Sequence, residues 1–205
     1  SRNCDHYRAM YDLPVPSHSD IGLERSSSVG SRGGLTMIRV GIVSQYYDPE
    51  GSSAVVPGFI ARALVKRGMS VDVLTGFPNY PYGRVYRGYR QAPHVREERE
   101  GVRIHRVPIY PNHSDRAIAR VMAYGSFAAT SSLAIGCLRG CDVILVYSTP
   151  VSVGLGPALA QLVGTRPVVT LVEDLWPETL LHSGMAGTGA MWRIAQGAAT
   201  WFSDW

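Results

Sequence analysis

From Ile38 onward, apolar and polar positions follow two alternating periods. Ile38–Ser44 (IRVGIVS), Val71–Thr75 (VDVLT), Asp142–Tyr147 (DVILVY) and Val168–Val172 (VVTLV) are short β-branched and aliphatic runs that read as strands. The last shows no sustained polar alternation, the pattern of a strand buried on both faces. Between the first two, Val56, Ile60, Ala63, Leu64 and Arg67 share one face of a helix. Ser52 or Ser53 is its expected N-cap, Pro57 falls within its first turn, and Gly68 ends it. Val95–Glu100 and Val102–Val107 flank Gly101 as a hairpin or bent strand, with Ile104, Val107 and Ile109 facing a core. A helix is expected over Asp115–Leu138 with Ser114 as its cap, uncharged from Val121 onward, and a small-residue helix over Val151–Val163. After Glu178 the chain reads as a short helix, a glycine-rich turn over Gly184–Gly189, and a helix from about Ala190 carrying Trp192, Trp201 and Phe202. That helix meets no terminator before Trp205 and reads as cut off in its middle. Alternating strands and helices imply one α/β domain with a doubly wound parallel sheet.

Residues 1–36 break this pattern. Ser, Gly, Arg, Pro and Asp dominate there, no period emerges, and no apolar stretch resembles a secretory signal. They read as a disordered or non-native extension, with Met37 as the natural start of a domain covering 37–205. The 205 residues, 45% hydrophobic and 18% charged, suffice for one full domain and are too few for two large ones. A net charge of +4, mostly from Arg, favours phosphate-bearing or acidic partners but is too dispersed to indicate nucleic acid. Cys4, Cys137 and Cys141 form no CxxC pair, so spacing points to neither a disulfide framework nor a zinc site, and a cytoplasmic setting is expected.

Candidate chemistry concentrates where strands end. Glu173 and Asp174 close the strand Val168–Val172 and are followed by Trp176, Pro177 and Glu178. Ligands of open α/β sheets sit beyond the carboxyl ends of strands, so these acids and this aromatic mark an edge for chemistry. Equally, Asp174 could cap a helix and Trp176 could be core. Gly51-Ser52-Ser53 lies where the first strand feeds the first helix, which makes it either an anion-holding turn or a plain connection. It lacks GxGxxG, and no acid ends the second strand, which argues against a dinucleotide cofactor. Residues 76–93 hold three prolines and three glycines, yet carry Phe77, Tyr80, Tyr82, Tyr86 and Tyr89. Such a loop either stacks on sugar rings, with Asn79 and arginines supplying hydrogen bonds, or packs onto its own domain. His105, within a strand, reads as structural. The helix over 115–138 is either a core helix or, with Arg116, Arg120 and Arg139 at its ends, one that lies against anionic lipid.

The runs IRVGIVSQYYDPEGSSAV, LVKRGMSVDVLTGFPNYPYGRVYRGYR, GVRIHRVPIYPNHS, DVILVYSTPVSVGL and VEDLWPETLLHSG closely resemble the N-terminal domain of family 4 glycosyltransferases. The nearest likeness is to the bacterial subgroup that builds colanic acid, O-antigen and capsule. The resemblance extends from about Met37 to Trp205, with FPNYPxG and DLWPE its most specific parts. It implies one half of a GT-B fold, whose partner half binds most of the nucleotide sugar, and retaining transfer with no bound metal or cofactor. The nucleotide sugar is then a co-substrate and the acceptor a lipid-linked or saccharide molecule, at the inner face of the cytoplasmic membrane. By position, Gly51, Ser52 and Ser53 match the donor-phosphate loop. Tyr46, Glu50, Pro78, Asn79, Tyr80, Asn112, His113, Ser148 and Trp176 are expected on the acceptor side. Glu173 and Asp174 match a His-Asp pair in many members, and Glu173 in place of that histidine cannot inherit its role. The expectation is an acceptor-side domain without its C-terminal GT-B partner, inactive alone. A sugar-nucleotide epimerase half and a non-catalytic sugar- or lipid-binding domain are the alternatives.

Overall fold

The computed structural model describes residues 37–51, 54–112, 116–148, 151–162 and 166–172. The expectations for 1–36 and for 173–205 lie outside these residues. Six strands form one sheet: β1 (Arg39–Val43), β2 (Ser70–Gly76), β3 (Val95–Arg99), β4 (Val102–Val107), β5 (Val143–Tyr147) and β6 (Val168–Leu171). Their spatial order is β3-β4-β2-β1-β5-β6. Every neighbouring pair is parallel except β3 with β4. From β1 the chain therefore builds outward through β2 and β4 on one side and through β5 and β6 on the other. The direction of winding reverses between β1 and β5, and a reversal of this kind opens a crevice at the carboxyl ends of the strands.

The pleat sorts the core into two layers. Val40, Val71, Val102 and Val143 share one row of the register, and Ile42, Val73, Ile104 and Leu145 the next row on the same face. Helix α1 (Val55–Lys66) covers that face with Ala61, Ile60, Leu64 and Val65. The opposite face carries Val43, Leu74, Val107, Ile144 and Val146. Phe127 of helix α2 (Ala117–Ala134), together with Leu138 and Val153 from two short 3-10 turns, closes it. A further helix, α3 (Leu155–Leu162), follows the second turn. Gly41 fits here because a Cβ would meet the Leu138 side chain at 3.2 Å and the Cys141 sulfur at 3.3 Å. With helical cover on both faces, the expected doubly wound α/β architecture is present.

Local rules explain most element ends. Gly68, at φ +80°, follows the C-cap Arg67 of α1. Its N–H donates to the Val65 carbonyl, and the Met69 N–H to the Leu64 carbonyl. These two bonds make a Schellman cap, with Met69 and Leu64 packed on the same core layer. Glu100 (φ +51°) and Gly101 (φ +76°) form the two-residue turn that joins β3 to β4, so the hairpin reading holds.

Three details differ from expectation. The N-cap position of α1 is Ala54, with no side-chain cap; its N–H bonds to the Gly51 carbonyl instead. The long helix begins at Ala117 after Arg116 and gives way to a 3-10 turn at Ile135. Strand β6 is not buried on both faces: among the described residues it pairs only with β5, and Val169 is 52% exposed. Among the described residues, the stretch Ile118–Leu138 is long and apolar enough to cross a membrane by length and composition. Its inner side nevertheless completes the sheet core through Phe127 and Leu138, both at 0% exposure. Its outer side presents Ile118, Val121, Met122 and Leu133 to solvent.

Candidate functional site

Because five of the six strands run the same way, their carboxyl ends line one edge of the sheet. β1 ends at Val43 and leads to Tyr46, Glu50 and Gly51; β2 ends at Gly76 and leads to Pro78, Asn79 and Tyr80. β4 leads to Asn112 and β5 to Ser148. The topology thus gathers the described members of the expected site at one edge. Tyr46 and Ser148 follow the two strands between which the winding reverses. Ser52, Ser53, His113, Glu173, Asp174 and Trp176 lie outside the described residues.

Glu50 organises this edge. The residue is 4% exposed, and its carboxylate accepts the backbone N–H groups of Asn79 at 2.7 Å, Tyr80 at 2.8 Å and Tyr47 at 3.1 Å. The side-chain nitrogen of Asn79 lies 3.4 Å from the same oxygen and donates to the Phe77 carbonyl at 3.2 Å. Burial is the largest influence on Glu50 and raises its pKa; the three N–H groups and the charge of Arg106 oppose the rise without reversing it. A carboxylate has only acceptor oxygens, which is what converging N–H donors require. Drawing the turn inward buries Pro78 and Asn79. Tyr80 stays half-buried and Tyr82 is 66% exposed.

Tyr46 and Tyr80 meet with ring centroids 5.5 Å apart, tilted at 57°. Burial, then the proximity of Tyr124, Glu50 and Tyr80, keeps the Tyr46 phenol protonated far above its ordinary range. Tyr46 is therefore a neutral donor and acceptor beside a second aromatic ring. The Tyr86 hydroxyl donates to the Tyr80 carbonyl, and Tyr82 packs on Tyr86 at 5.6 Å. Many rings of the loop thus brace one another, and Phe77 is 1% exposed in the core. Gly76 permits the tight exit from β2, since a Cβ there would sit 2.7 Å from the Ile109 side chain. Gly51 differs: it is exposed, and a Cβ would meet nothing within 4 Å.

Reading the sequence alone missed Arg106. Its side chain is fully buried at the end of β4. The guanidinium donates to the Glu97 carboxylate at 2.7 Å and to the Gly76 carbonyl at 3.0 Å. It also donates to the Asp48 carbonyl and lies 5.1 Å from the centre of the Tyr89 ring. One cation thereby joins the loop after β1, the end of β2, the edge strand and the aromatic loop.

A second polar cluster lies deeper on the α2 face of the sheet. Asp72, 3% exposed, accepts two bonds from Arg103, at 2.8 and 2.6 Å. Its Oδ1 lies 3.3 Å from Nε2 of His105, and Nδ1 of His105 lies 3.1 Å from Nε2 of His94. Burial is the largest influence on Asp72 and would raise its pKa; the bonds and charges of Arg103 and His105 outweigh it and lower the result. His105 pairs with Leu74 and Arg96 within the sheet, so it belongs to the strand interior and not to the loop edge. Cys137 and Cys141 are both free thiols.

Replacement of Glu50 by Gln tests the clamp, because an amide NH₂ would face backbone donors. Glu50→Gln is expected to destabilise the fold by about 1–3 kcal/mol, the usual penalty for a buried donor left without an acceptor. Urea unfolding measures this, and a change below about 0.5 kcal/mol would show that the clamp contributes little.

Residues 51–204 match the family model described as the glycosyl transferase 4-like domain. The chain is also 28% identical over 142 residues to a protein named for colanic acid biosynthesis, the glycosyl transferase WcaI of Escherichia coli (strain K12). That match covers 68% of this chain and 34% of the relative, so the chain spans about a third of its length. With the matched region running from Gly51 through β2 to β6, over more than half of the chain, the chain belongs to the glycosyl transferase 4-like domain family.

Proposed function

We propose that this domain is the acceptor-binding side of a retaining glycosyltransferase that moves a sugar from a nucleotide-sugar donor to a lipid-linked or saccharide acceptor. The observation that carries the reading is the pair Tyr46 and Tyr80, held beside the winding reversal by the buried Glu50. Aromatic faces stack on the apolar faces of sugar rings, and the Tyr46 hydroxyl supplies a polar partner. Gly51, with open space where a side chain would be, suits the close approach of a donor phosphate to the start of α1. Glu173 and Asp174, which by likeness stand where many members have a His-Asp pair, would act on charge developing at the anomeric carbon. The similarity to a protein named for colanic acid biosynthesis favours cell-surface polysaccharide as the product.

The lipid part of such an acceptor has a matching surface. Ile118 is 80% exposed, Val121 64%, Met122 54% and Leu133 89%, with Arg116 and Arg120 at the start of the same helix. Apolar side chains with flanking arginines favour adsorption to an anionic bilayer surface.

Two measurements test the proposal. Titration with polyprenyl diphosphate-linked saccharides and, separately, with uridine and guanosine diphosphate sugars reads the two ligands independently. Tyr80→Ala is expected to weaken saccharide binding roughly tenfold or more, taking about 1–3 kcal/mol per lost stack, while leaving nucleotide-sugar binding unchanged. Unchanged saccharide affinity would count against the aromatic pair as the acceptor platform. For the membrane surface, co-sedimentation with vesicles of phosphatidylglycerol and phosphatidylethanolamine is compared between the parent and an Ile118→Asp, Leu133→Asp double variant. The double variant is expected to lose most binding, and equal sedimentation would exclude this face as the contact.

A further inference from the structure

We infer that His94, His105 and Cys137 form a binding site for a zinc-class divalent cation. Their ligand atoms all lie within 4.8 Å of one another. They come from three separate pieces of the fold: the residue before β3, the middle of β4, and the 3-10 turn after α2. Spacing along the sequence gave no hint of this set, because strand pairing and the return of α2 across the sheet bring it together.

The arrangement has the features that separate a metal site from a chance cluster. Nε2 of His94 and Nδ1 of His105 are 3.1 Å apart. Two imidazoles at about 2.0–2.1 Å from a tetrahedral zinc ion have nitrogens roughly 3.3 Å apart. The rings are within 6° of parallel, with centroids 5.2 Å apart. The other nitrogen of His105 faces the Asp72 carboxylate at 3.3 Å. A carboxylate behind a histidine holds the proton on that nitrogen and leaves a lone pair on the inward one, the support that metal-bound histidines ordinarily have. Asp72 is itself fixed by two bonds from Arg103, so the orientation of His105 is set before any ion arrives.

Two nitrogens and a sulfur suit zinc and other borderline or soft ions, and disfavour magnesium and calcium, which take oxygen. Binding would form one metal–sulfur and two metal–nitrogen bonds, and the Cys137 thiol would release its proton to solvent. His94 is exposed and can shift its remaining proton to Nδ1 with solvent as the carrier. Water would complete four-coordination. The ion would pin the edge hairpin to the turn that closes the α2 face, a structural staple.

The alternative, an ordinary hydrogen bond from His94 to His105 with Cys137 as a spectator, gives different results in one experiment. The full chain carrying Cys4→Ser, so that this thiol cannot contribute, is titrated with Co²⁺ as a spectroscopic substitute for zinc. One equivalent is expected to produce a thiolate-to-cobalt charge-transfer band and the intense visible bands of four-coordination, both displaced by Zn²⁺. Cys137→Ser should abolish the charge-transfer band and weaken Zn²⁺ affinity at least a hundredfold in a chelator competition. His94→Gln, at an exposed position, should weaken affinity tenfold or more. Unchanged far-ultraviolet circular dichroism verifies that both variants fold. Absence of the charge-transfer band in the parent, or its survival in Cys137→Ser, would overturn the site.

Discussion

One buried carboxylate decides the shape of the loop edge. Glu50 takes three backbone N–H groups from two different loops, and two of them, from Asn79 and Tyr80, belong to the aromatic segment after β2. Backbone groups in that turn have no strand or helix to satisfy them, and unpaired buried donors are costly. The acid supplies the missing acceptor and thereby dictates where Tyr80 stands against Tyr46. A loop rich in proline and glycine becomes a defined surface without any regular secondary structure.

The rest of the edge is built on the same logic of buried charge serving backbone. Arg106 bonds the carbonyls of Gly76 and Asp48, neutralises Glu97 and lies against Tyr89. Glu50 thus satisfies donors and Arg106 satisfies acceptors, on loops that leave adjacent parallel strands. Such pairs of opposite charge are sustainable in a low-dielectric interior only with nearly complete hydrogen bonding, which both have. The sheet places these loops together, and the charges fix their conformations, so each layer depends on the other. Further down the strands Asp72 and Arg103 make another paired set, directed at the α2 face and distinct from the loop edge.

The sequence carried the elements well because their signals are local. Aliphatic runs marked β1, β2 and β5, Gly68 marked the end of α1, and Gly101 marked the hairpin, each by a conformational need that one residue announces. The start of α1 was misplaced because Ala54 has no capping side chain, leaving a preference for the nearby serines as the only local cue. Exposure of β6 was missed because composition cannot tell an edge strand from an interior one; only strand order does, and among the described residues β6 ends the sheet. The strand-end residues of the site could be placed by topology and by family likeness. That Glu50 and Asn79 serve the loop from inside was not legible, since their bond spans 29 positions of chain. Arg106 was hidden for the same reason, its bond to Asp48 spanning 58 positions.

The central claim, that Glu50 pre-forms the aromatic edge before any sugar binds, is tested most directly by amide hydrogen exchange in the ligand-free protein. Protection of the Asn79 and Tyr80 N–H groups should approach that of the interior amides of β2, because they open only when the buried carboxylate does. Exchange at the rates of an open loop, with β2 still protected, would contradict the account, since the platform would then form only on binding.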